Sequence, residues 1–122
     1  MKIKIFKLLS ALDGLKKLAE RDLPAPISFN LARAFQQIDK ELELFEKQRV
    51  KLLEKYAVKQ DDGSLIIPDD NTENREKYLA ELNQLMDCEI EIPYEPININ
   101  NLGEIKLSVS DMLQIQDFFI NK

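Results

Sequence analysis

Four arginines, Arg21, Arg33, Arg49 and Arg75, are the side chains of this sequence best suited to holding an anion. A planar guanidinium meets a carboxylate or phosphate with two parallel hydrogen bonds, which a lysine cannot do. Arg49 says most, because it is the one charged position in an apolar heptad seam. Two readings fit it: a snorkelling side chain paired with Glu46 or Glu81, or an anion or partner contact in a subunit interface. Tyr94 stands in the stiff segment Pro93-Tyr94-Glu95-Pro96, where a ring can stack on a base, pack at an interface or anchor its own loop. Arg33, Arg49, Arg75 and Tyr94 are the candidate ligand- or partner-binding residues.

Other chemistry is excluded by composition. The chain has no His, no Trp and a single cysteine, Cys88. Histidine-based triads, Cys/His zinc sites, an internal disulfide and thiol–imidazole nucleophiles therefore have no residues to build them. Cys88 reads as a small buried hydrophobe. The three glycines are scattered, so no phosphate-cradling loop is present. Asp61, Asp62, Asp69, Asp70 and Glu73 lack the spacing of a calcium loop and read as a turn followed by helix N-caps. No catalytic residue, metal or cofactor is expected, and the chain is read as a non-enzyme.

Seventeen basic and 22 acidic residues give a formal charge of −5. The basic clusters, Lys2, Lys4 and Lys7 and then Lys16 and Lys17, are short and set among apolar residues, so no nucleic-acid footprint emerges. Apolar runs are too short for a membrane span, and Met1–Leu12 lacks a signal-peptide cleavage pattern. A lone thiol suits a reducing compartment, and a cytoplasmic location is expected. At 122 residues the chain has the size of one domain.

The elements that must carry these side chains follow from periodicity. Residues 1–6 alternate and predict a strand, and Leu8, Leu12, Leu15 and Ala19 predict a helix over 8–22, stopped by Leu23-Pro24-Ala25-Pro26. Leu31, Phe35, Ile38, Leu42, Phe45, Arg49, Leu52 and Tyr56 recur at alternating steps of four and three, predicting one long helix over 27–57. A third helix is expected over 72–87, strands within 88–107 that include a hairpin closed at Asn100–Gly103, and a last helix over 109–120 begun by Ser108 and Asp111. Lys2-Ile3-Lys4-Ile5 and Glu89-Ile90-Glu91-Ile92 complement each other in charge and apolar face, so they should pair antiparallel. The fold class is α+β and mainly helical: a long central helix packed by two shorter ones, a small antiparallel sheet and a C-terminal helix.

This pattern resembles a family of small uncharacterised phage and prophage proteins of Gram-positive-type bacteria. The resemblance is carried by Leu12, Leu15 and Leu18, the Leu23-Pro24 break, the run from Phe35 through Glu41, Phe45, Glu46, Arg49, Leu53 and Lys55 to Tyr56, the turn at Gly63, and Leu82 with Glu89–Ile92. It implies a virus-encoded accessory protein in the host-cell cytoplasm and transfers no catalytic residue. With Leu44, Val50 and Leu53 widening the apolar stripe of the long helix, the expected function is a homo-oligomer that binds a host or viral protein. Two other readings stand beside it: a sponge that sequesters a nucleotide immune signal, and a virion assembly adaptor or chaperone.

Overall fold

The computed structural model describes residues 1–103 and 105–120. Its elements in chain order are β1 (Lys2–Lys4), α1 (Ile5–Ala19), α2 (Ala25–Tyr56), β2 (Val58–Lys59), β3 (Leu65–Ile66), α3 (Thr72–Met86), β4 (Glu89–Glu91), β5 (Ile97–Asn98), α4 (Val109–Gln114) and β6 (Phe119–Ile120). The fold is mainly helical, with α2 packing against α1 and α3 and with small two-stranded sheets. Where the sequence suggests one core, the contacts gather into two compact units: residues 1–38 with 89–122, and residues 39–88.

In the first unit, β1 and β4 pair antiparallel in the register Lys2↔Glu91, Ile3↔Ile90 and Lys4↔Glu89, as the charge complementarity requires. The strand is shorter than expected. Ile5 satisfies both periodicities, alternating after Ile3 and falling three residues before Leu8, and the helical one wins, so α1 starts there. Ile5, Leu8, Ala11, Leu15 and Leu18 form its buried stripe, and Leu31, Ala34 and Ile38 are buried on the first half of α2. Two prolines flank the helix start harmlessly, because the first-turn amides have no intrahelical acceptor. The Pro24 carbonyl instead accepts from the amides of Ile27 and Ser28, both at 3.0 Å.

The far end of this unit departs from the sequence pattern. Among the described residues of 97–107 no hairpin forms. Residues 99–101 form a 3-10 turn, residues 105–107 carry no strand, and Glu104 lies outside the described residues. The partner of β5 is instead β6, parallel, in the register Ile97↔Phe119 and Asn98↔Ile120. Consequently the last helix is cut short: α4 ends at Gln114, a 3-10 turn spans Gln116–Phe118, and the chain extends into β6. Burial of Ile115 and Phe118 fixes that path.

Gly14 sets how closely α4 approaches α1. A β-carbon there would lie 2.8 Å from both the Asp111 carbonyl oxygen and Ile115 Cγ2. The Gly14 amide also donates to Gln114 Oε1 at 3.0 Å. Beside this contact, Lys17 Nζ meets Asp111 Oδ1 at 3.0 Å, and the Ser108 hydroxyl caps α4 by accepting from the Asp111 amide at 3.1 Å.

The second unit is a helical hairpin, the latter part of α2 with α3, and the antiparallel ribbon β2–β3 lies between them in sequence. Gly63, at φ 88°, makes the ribbon's turn, and Asp62 Oδ1 accepts from the Ser64 amide at 2.9 Å. Asn71 caps α3 by accepting from the Asn74 amide at 3.2 Å. This unit is thinly cored. Among the described residues, fifteen of the sixteen buried apolar side chains belong to the first unit and only Phe45 to the second.

Two outcomes test the α1–α4 contact. Helix propensity alone would make Gly14→Ala stabilising by ~1 kcal/mol. The backbone collision reverses the sign, and a net loss of about 1–3 kcal/mol is expected in urea denaturation. The Asp111 carboxyl is held below its ordinary 3.8, first by Lys17 and also by Ser108, against the opposing effect of burial. A carboxyl that titrates lower in the folded chain contributes stability that is complete above the ordinary value and lost as pH falls through the lowered one. Asp111→Asn is therefore less stable than the parent at neutral pH, and the gap in denaturation midpoint closes as pH falls below the ordinary carboxyl value and through the lowered one.

Candidate functional site

The four candidate residues do not form one site. Arg33 and Tyr94 border a solvent-open cleft of about 920 Å³ in the first unit, whereas Arg49 and Arg75 belong to the second. Arg49 takes the local-pair reading. Its Nε donates to Glu46 Oε2 at 2.9 Å, its other fork nitrogen binds Glu46 Oε1, and Tyr78 adds a further contact. Glu46, foremost, and then Tyr78 push the guanidinium upward, and the Glu46 carboxyl is held down in return. Arg75 is paired with Asp69 on the surface. Both forks are thus occupied by their own chain.

Tyr94 is an anchor. It is 5% exposed, its hydroxyl donates to the Phe118 carbonyl at 2.7 Å, and its ring meets Phe118 edge-on with centroids 5.3 Å apart. Burial pushes its phenol well above the usual range. Base stacking on this ring is therefore corrected to a structural role: the segment after β4 bends Tyr94 inward and leaves Glu95 and Pro96 outside. Cys88 is corrected in the opposite sense. It is exposed, with its thiol 3.5 Å from the Gln84 carbonyl oxygen, because the chain has left α3 and not yet entered β4.

Arg33 alone among the four keeps its charge uncommitted. Its guanidinium lies 5.8 Å from the centre of the Phe29 ring, a cation–π distance, and no described carboxylate pairs with it. Phe29 is 65% exposed. Asn30 joins α2 to the loop: its amide donates to the Glu95 carbonyl at 2.8 Å and its oxygen accepts from the Glu95 amide at 3.2 Å. Phe29 and Asn30 escape sequence reading because neither falls on the heptad seam; an aromatic residue off that seam was the available signal.

The second unit offers a different surface. Leu44 and Leu79 are exposed, Val50, Leu53, Leu82 and Met86 are half-buried, and α3 has no buried residue at all. Among the described residues no three His, Cys, Asp or Glu side chains are grouped to hold a metal ion, and no helix is long and apolar enough to cross a membrane. No family model matches the chain, and no curated protein and no solved structure is significantly similar to it.

Tyr94→Phe isolates the anchoring bond. It leaves the Phe118 carbonyl without that donor while preserving the ring contact, so a loss of about 1–2 kcal/mol is expected in urea denaturation.

Proposed function

We propose that the chain is a non-enzymatic binding protein that works as a homo-oligomer, associating through the helical hairpin of residues 39–88. The observation supporting this reading is the hairpin's missing core, with Phe45 its one buried apolar side chain among the described residues. Two helices can bury only the stripe they turn toward each other. A hairpin whose flanks are also apolar gains a core by meeting a second hairpin, as in a four-helix bundle. On α3, Leu79, Leu82 and Met86 recur at steps of three and four; on α2, Val50 and Leu53 recur at three.

A second copy of this chain is the occupant favoured by charge. On the hairpin's two helices, residues 39–56 and 72–86, eight acidic and seven basic residues nearly balance, and several pair locally, Glu43 with Lys47, Glu73 with Lys77 and Glu81 with Lys55; the acidic excess of the unit lies mainly in residues 57–71. Near-neutral helix flanks of this kind attract no strongly charged partner and tolerate their own copy. The oligomer would then engage a host or viral protein, in the role of a phage-encoded accessory protein in the host cytoplasm, which rests on the resemblance of the heptad run and the Glu89–Ile92 stretch. Of the residues the nucleotide-sponge reading would use, Arg49, Arg75 and Tyr94 are engaged by their own chain, and Arg33 alone keeps its charge free, so that reading gains no assembled site.

Light scattering at tens of micromolar is expected to report a dimer or higher species. Leu79→Lys, at an exposed position, should weaken association at least tenfold while leaving the circular dichroism spectrum unchanged. A monomeric parent protein overturns the reading.

A further inference from the structure

We propose that the cleft beside the first turns of α2 binds an extended peptide in which acidic and basic side chains alternate. This inference stands on the first unit and is independent of the hairpin association. One wall is α2, with Phe29, Arg33 and Gln37; the other is the segment from Glu91 to Asn98. Four charges border the cavity: Arg33 on the helix wall, Glu91 and Glu95 on the loop wall, and the Met1 ammonium, which donates to the Ile92 carbonyl at 2.9 Å. Among the described residues Arg33, Glu91 and Glu95 make no direct ion pair, although they share one space and Lys2 stands opposite Glu91 across the strand pair.

Unpaired charges of opposite sign on facing walls define their ligand. A polyanion gains Arg33 and the Met1 ammonium but is repelled by Glu91 and Glu95, and a polycation meets the reverse, so neither satisfies the whole cleft. Successive side chains of an extended chain point to opposite sides. An acidic residue next to a basic one therefore presents its carboxylate to Arg33 and its cation to Glu91 or Glu95. The exposed Phe29 ring supplies an apolar shelf beside Arg33 for the stems of long side chains.

The cleft is also built to hold its shape. Besides the Asn30 clamp on Glu95 and the Tyr94 anchor, the Ile92 amide donates to the Met1 carbonyl at 2.8 Å, and Pro93 and Pro96 stiffen the wall between. A preformed site loses little entropy on binding, so a few weak charge contacts suffice for a measurable affinity.

Fluorescence anisotropy with labelled ten-residue peptides, one alternating Glu and Lys, one all Glu and one all Lys, tests the proposal at low ionic strength. The parent protein is expected to bind the alternating peptide tightest. Arg33→Ala should weaken that binding about two- to fivefold, and Arg33→Glu should turn the preference toward the all-Lys peptide. Both substitutions lie at an exposed position, and an unchanged circular dichroism melt establishes that the fold is intact. The proposal is overturned by no binding of any peptide at millimolar concentration, by a parent preference for a single-sign peptide, or by an Arg33→Glu variant that ranks the peptides as the parent does. If the hairpin association fails while the peptide ranking holds, this inference survives and the oligomer reading does not.

Discussion

An amphipathic helix is held in a protein by whatever covers its apolar stripe, and along α2 that cover is divided unevenly. Through Ile38 the stripe sinks into a full core, where Leu31, Ala34 and Ile38 are each 3% exposed or less. Beyond that point Phe45 is the last buried side chain, and Leu42, Leu52, Leu53 and Tyr56 are only half-covered. Intrinsic propensity is a weak source of helical stability compared with packing of such a face. The 32-residue helix is therefore continuous in backbone but not in what stabilises it. Anything that supplies the missing cover would add most to its second half.

The parts of the fold that were readable in the sequence are those whose causes lie close together in the chain. The helices announce themselves by three- and four-residue spacing, and α4 by the Ser108 cap. The pairing of β1 with β4 is an exception in range, since about ninety residues separate them, yet it was legible because each strand carries its own two-sided pattern. Lysines oppose glutamates on one face and isoleucines meet on the other, so sliding by one residue would bury charge. Nothing comparable marks β5 and β6. Ile97 and Asn98 pair with Phe119 and Ile120 in parallel, and neither dipeptide bears a charge that could name the other. The alternation over 97–107 pointed instead to a local hairpin. Met112, Ile115 and Phe118 likewise fit a helix as well as the bent path they follow.

The candidate site divides on the same ground. The Arg49–Glu46 pair was legible because a three-residue separation on a helix places the two side chains together. The cleft was not, because its walls come from residues 26–37 and 91–101, and only the fold brings them together. Arg33 could be named from its type, but its importance lies in what is absent around it. Three of the four arginine forks can be compared: Arg49 and Arg75 have carboxylates, and Arg33 has only a ring.

The two surfaces differ in the physics that would fill them. The hairpin flank is apolar, with its charges largely satisfied by neighbours on the same helices, and exposed local pairs of that kind contribute at most ~1 kcal/mol each. Covering it gains by removing hydrocarbon from water, which mobile ions barely influence. In the cleft the balance is reversed. Arg33 stands on the helix wall and Glu91 and Glu95 on the loop wall, with the Glu95 backbone clamped by Asn30, so direct pairing between the walls is left to a ligand. Attraction between such solvent-open charges fades over a Debye length of about 8 Å at physiological ionic strength. Only a chain that enters the cleft and meets each wall at contact distance gains from charges of both signs, and for that reason selectivity there belongs to the order of charges along a ligand rather than to its net charge.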